Sequence, residues 1–183
     1  MTDDSIRPFY ADWAGYNRRI VEGLSTLSPD DLALRVAGSE HWPVWAIAGH
    51  MAATRVFWLC EVFGEPGREL TPFADSGDAG WEDDLSRPRS GAELAGALAS
   101  TWQIVDACLT RWTPAVIDER FDRLEDDRHE VHTRQSILMR LINHEAYHLG
   151  EINLALGVNG RQPINLWPSS DWSADAPRAR REA

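Results

Sequence analysis

Ser136-Ile137-Leu138-Met139-Arg140-Leu141-Ile142-Asn143-His144-Glu145-Ala146-Tyr147-His148 sets apolar side chains at three- and four-residue steps and ends with two imidazoles four apart. That period is helical. Residues i and i+4 lie one above the other, about 6 Å along the axis, so the rings of His144 and His148 can converge on one cation. The stripe runs Ile137, Leu141, His144, His148, Ile152, Ala155. Thr133 can cap its start, and Gly157 is the expected stop after Leu156. Burying two polar rings without partners is costly, so the stripe asks for a ligand. A third imidazole, His50, falls in another apolar segment whose inner face carries Ile47, His50, Met51, Thr54, Phe57 and Trp58. His50, His144 and His148 therefore read as a metal site. Imidazole donors suit Zn, Ni, Fe or Cu, and three protein ligands leave positions open, as in catalytic zinc sites.

Working outward, the His50 segment opens at Pro43 and is stopped near Phe63 by Gly64-Glu65-Pro66-Gly67. Phe9, Trp13, Tyr16, Ile20, Leu24 and Leu27 predict a first helix over residues 4–27. Ser90 with Glu93 is a capping box that starts a third helix reaching about Trp112, with Leu94, Leu98, Thr101, Val105, Cys108 and Trp112 as one stripe. Residues 65–89 and 113–132 read as irregular connections. Four amphipathic segments and no clear strand predict an all-α four-helix bundle. The long connection 65–89 is the one crossover, between helices 2 and 3. Helices 2 and 4 then run antiparallel, with His50 about 10 Å into its helix and the His144–His148 pair about 15 Å from the end of its own. One domain covers 1–172, closed by a C-terminal strap, and 173–183 is expected to fray.

The formal net charge is −11, which disfavours nucleic acid. All 18 basic Lys+Arg side chains are Arg, so no lysine is available for Schiff-base chemistry. No apolar run approaches a bilayer span. Cys60 and Cys108 have no CxxC spacing, and residues 1–4 show no secretory pattern; the expected setting is the reducing cytoplasm.

His144-Glu145-Ala146-Tyr147-His148 also fits the H-E-x-x-H protease motif. The downstream ligands those proteases need are missing: position 154 is Leu, Gly150 is misplaced, and no strand is available to align a peptide. The metal reading stands without the protease. Around it, Glu151 and Glu145 are the candidate catalytic carboxylates, Glu151 three residues after His148 and Glu145 on the helix flank beside Arg140 or Arg111. Trp45, Trp58, Arg55 and Tyr147 are candidate pocket residues, with Trp42 also flanking His50. His41, His129 and His132 read as solvated loop residues.

Pro43-Val44-Trp45-Ala46-Ile47-Ala48-Gly49-His50-Met51, then Ile142-Asn143-His144-Glu145-Ala146-Tyr147-His148-Leu149-Gly150-Glu151-Ile152 and Leu156-Gly157, resemble the DinB-like (DinB/YfiT-like) superfamily of bacterial metal-binding bundles. The similarity covers about residues 5–167. The resemblance implies an up-down-down-up bundle and a divalent metal, often nickel or zinc, on His50, His144 and His148. It also implies frequent homodimers, and thiol-dependent S-transferases or isomerases using bacillithiol, mycothiol or similar low-molecular-weight thiols. Three functions stay open: a small-thiol S-transferase, a hydrolase of a small ester or amide that activates water at the metal, and a non-catalytic metal-binding or stress-associated protein. Each takes a small molecule rather than a nucleic acid or a membrane. Imidazole's reference pKa of about 6.5 predicts loss of metal below roughly pH 6.

Overall fold

The computed structural model describes residues 4–36, 41–75, 79–125 and 127–167. The molecule is mostly helical. α1 (Ala11–Ser25) follows a 3-10 turn at Arg7–Tyr10, and a single turn α2 (Pro29–Leu32) is closed by a Ser28–Asp31 capping box. α3 (Val44–Val56) continues through a π-helical turn at Phe57–Val62. α4 (Gly91–Arg111) starts at Ser90, whose hydroxyl accepts from the Glu93 N–H. α5 (Arg134–Val158) starts at the Thr133 cap. α1 packs on α4, α4 on α3, and α3 on α5.

The first helix begins later than residue 4. Buried Ile6 donates its N–H to the Trp112 carbonyl at 3.0 Å, which pins the chain across the end of α4 before α1 can start. Phe9 is left exposed outside the helix, and Asn17 is buried on the inner face. α5 also outruns its expected end. Gly157 stays helical, and Gly160 takes the left-handed conformation at φ 71°. The N–H groups of Gly160 and Arg161 close on the carbonyls of Gly157 and Leu156, a Schellman arrangement.

Residues 113–132 are not all irregular. β1 (Arg120–Glu125) and β2 (Arg128–Thr133) form an antiparallel hairpin in the register Phe121↔His132, with Asp127 at φ 63° in its turn. Asp tolerates this region better than most residues. The hairpin's packed side uses Phe121, tilted against Phe63 with centroids 4.3 Å apart, Arg123 over Phe57, and His132 against Trp58. That face is aromatic and charged rather than aliphatic, so no apolar alternation announces it.

α3 is the central element, buried on nearly every side: Val44 to Gly49, Met51, Ala52, Arg55 and Val56 are all buried. His50 is among the few α3 residues that reach the surface. Trp13, Trp45, Trp58, Trp102 and Trp112 are buried anchors between the elements. Within the connection 65–89, the 3-10 turn Trp81–Asp83 lies against α3. Gly49 permits that approach, since a Cβ there would come within 3.1 Å of Trp81 Cβ. The segment 161–167 is strapped down. Asn153 Nδ2 donates to the Ile164 carbonyl and its Oδ1 accepts the Ile164 N–H, while Arg19 donates to the Leu166 carbonyl. The expected reach of the strap to Trp172, and the frayed tail, lie outside the described residues. No described helix is long and apolar enough to cross a membrane.

Candidate metal centre

α3 and α5 bring His50, His144 and His148 together. His144 Nε2 lies 2.9 Å from His50 Nε2 and 3.1 Å from His148 Nε2. One ring nitrogen from each of the three lies within 4.8 Å of the others. The outer nitrogens are held from behind. His50 Nδ1 sits 2.6 Å from Glu82 Oε1, and His148 Nδ1 sits 2.6 Å from Glu151 Oε2. An ionised carboxylate only accepts, so each Nδ1 carries the proton and each Nε2 presents a lone pair inward. His144 Nε2 can donate one proton at most. Two acceptors thus face a nitrogen with one proton at most, so both short contacts cannot be full hydrogen bonds, an arrangement that a shared cation relieves.

The electrostatics point the same way. Burial, then the charges of His148, His50 and Arg140, lower the His144 pKa to about 3. Burial also lowers His148, opposed by its hydrogen bond to Glu151. Both rings are therefore neutral donors at neutral pH. Glu82 Oε2 is buried with no hydrogen-bond partner among the described residues. Imidazole donors backed by the carboxylates of Glu82 and Glu151 form a donor set that fits a divalent cation. His144 Nδ1 is also buried without such a partner, so His144 lacks the carboxylate brace of its neighbours. The group could bind a metal ion, and the His50 side chain, 23% exposed, keeps the cluster open to solvent.

The other candidates separate. Glu151 is at the cluster. Glu145 is not: it is 5% exposed in the core, where its Oε1 accepts from Arg55 Nε at 2.7 Å and its Oε2 from Trp13 Nε1 at 2.8 Å. The expected flank pairing with Arg140 or Arg111 gives way because α5 turns this carboxylate onto Arg55. Arg55, expected in the pocket, is fully buried and also donates to Asn17 Oδ1 and the Leu98 carbonyl. Trp45 is core as well. Trp58 is buried beneath Arg140 and Arg123. Tyr147 is exposed, its ring 5.1 Å from His148, and Trp42 lies 5.0 Å from His50. His129 is an exposed partner of Asp122, whereas His132 is buried on β2 rather than solvated in a loop. Sequence reasoning missed Glu82. The acidic run Glu82-Asp83-Asp84 was visible, but nothing local says that one member crosses to His50.

No curated protein matches the chain. Among solved structures, the crystal structure of a DinB-like protein from Bacillus cereus ATCC 10987 is similar, with TM-score 0.66 and 19% identity over 91% of this chain and 100% of that one. At that identity the likeness concerns the fold. The family profile of the DinB superfamily matches residues 15–152, a span that contains all three histidines. With helices packed in a DinB-like fold and three imidazoles converging between α3 and α5, the chain belongs to the DinB superfamily.

Proposed function

We propose that the protein is a metal-dependent S-transferase that uses a low-molecular-weight thiol, built on an up-down-down-up four-helix bundle. The supporting observation is the cluster itself: three Nε2 atoms facing one another, two of the rings fixed by Glu82 and Glu151, with one side reaching solvent. His50, His144 and His148 would hold a divalent ion, zinc or nickel. Bound there, the ion supplies positive charge that lowers the proton affinity of an incoming thiol. Glu82 and Glu151 orient the rings, and Trp42 and Tyr147 flank the mouth.

The carboxylates favour transfer over hydrolysis. Glu145 is locked in the core, and both Glu82 and Glu151 are engaged by imidazole N–H groups. A hydrolase that activates water through a separate carboxylate base has no disengaged one among these three; a thiol acidified by the metal needs none. Zinc- or nickel-loaded protein is expected to consume a small thiol together with a model electrophile such as a haloarene, at a rate abolished in His144→Ala. Absence of turnover with every common bacterial thiol removes the transferase. A hydrolytic rate on small esters that Glu151→Gln abolishes would replace it with the hydrolase.

A further inference from the structure

Arg140 stands one turn before His144, so Arg140, His144, Tyr147 and His148 share one stripe of α5 at i, i+4, i+7 and i+8. Its guanidinium lies 4.6 Å from the Trp58 ring centroid, which steadies the side chain without neutralising it. Arg140 is exposed and makes no hydrogen bond or ion pair among the described residues. Its neighbours contrast with it: Arg123, over the same tryptophan, is paired with Glu125 and Glu130, and Arg134 with Glu119.

The charge balance gives that free cation a role. Glu82 and Glu151 back the histidine cluster, and the chain as a whole is at −11. The uncompensated positive charge on the same stripe is Arg140, whose planar fork matches a carboxylate.

We infer that Arg140 is the recognition residue of the site, gripping the carboxylate of an anionic small-molecule ligand whose other end reaches the histidine cluster. The inference rests on the thiol reading proposed above. It selects carboxylate-bearing thiols over neutral ones of equal size. Trp58 holds the guanidinium in place, and Tyr147 borders the ligand on the opposite side of His144.

The test titrates cobalt(II)-loaded full-length protein with 3-mercaptopropionate and with 3-mercaptopropionamide, following the sulfur-to-cobalt charge-transfer band. The acid-to-amide affinity ratio is expected to fall about tenfold in Arg140→Gln, the size of one charge-assisted hydrogen bond. Taking the ratio within each protein cancels any change that the substitution makes to the metal itself. Arg140→Lys should retain part of the preference. In the unsubstituted protein, raising the salt concentration should weaken the acid and leave the amide unchanged, a reading that needs no variant. A ratio unchanged in Arg140→Gln, or insensitive to salt, overturns the Arg140 assignment and leaves the transferase standing. Failure of both thiols to bind while cobalt stays in place overturns the thiol reading, and this inference with it.

Discussion

His144 is the residue on which the cluster's acid–base behaviour turns. Half-buried between two other rings and near Arg140, it is held at a pKa of about 3, against about 6.5 in an unfolded chain. The unfolded state therefore takes up the proton first, so this contribution to metal-free stability is complete above about pH 6.5 and is lost as pH falls toward 3. His148, also lowered, acts in the same direction. Urea unfolding of chelator-treated protein should show stability falling from pH 7 to pH 4, more steeply than in His144→Ala. Equal slopes in the two proteins would refute this. The same depression weakens proton competition for the metal at His144. Occupancy should persist through pH 6 and decline only in more acid buffer, later than imidazole's reference pKa suggests. Dialysis followed by elemental analysis reads it.

Among the elements, the Arg55–Glu145 pair ties the helices together. Arg55 on α3 reaches Glu145 on α5, Asn17 on α1 and the Leu98 carbonyl on α4, and Trp13 on α1 adds a second donor to Glu145. A buried charge pair is weak evidence for net stability, but breaking it leaves one charge unpaired. Glu145→Ala should therefore lower unfolding free energy by about 3–5 kcal/mol, measured in urea. Because Arg55 follows His50 by five residues and Glu145 follows His144 by one, the pair also fixes the α3–α5 offset that brings the rings together. Metal affinity in Glu145→Ala should fall although no donor is removed. Unchanged affinity would confine the pair to stability.

At the scale of the molecule, a cation shared by α3 and α5 would bind the folded state and not the dispersed rings. Linkage then predicts about 2.7 kcal/mol of added stability when free metal is a hundredfold above its dissociation constant. Thermal unfolding with and without zinc should show that gain. His144→Ala should abolish the gain while keeping the metal-free fold, because Ile137, Leu141, Ile152 and Ala155 still pack. A zinc-dependent shift that persists in His144→Ala would place the binding elsewhere.

The apolar period and the caps determined the helices. The stripes through Leu94, Leu98 and Val105 and through Ile137, Leu141 and Ile152 are buried as read, and the Ser90 and Thr133 caps stand where side-chain oxygens can meet orphan N–H groups. The histidine spacing likewise identified two rings on one helix face and named the third. These are local properties, set by 3.6-residue geometry. Tertiary packing decided the rest. The hairpin over the end of α3 is held by Phe121, Arg123 and His132, which carry no apolar alternation. Glu82 reaches His50 from a connection whose path depends on Gly49 and Trp81, 32 positions along the chain. Glu145 and Arg55 left their expected places at the site for the core because a long-range ion pair outweighs a helix-flank position. Spacing along one helix is written in the sequence; which charges meet across helices is set only when the backbones have packed.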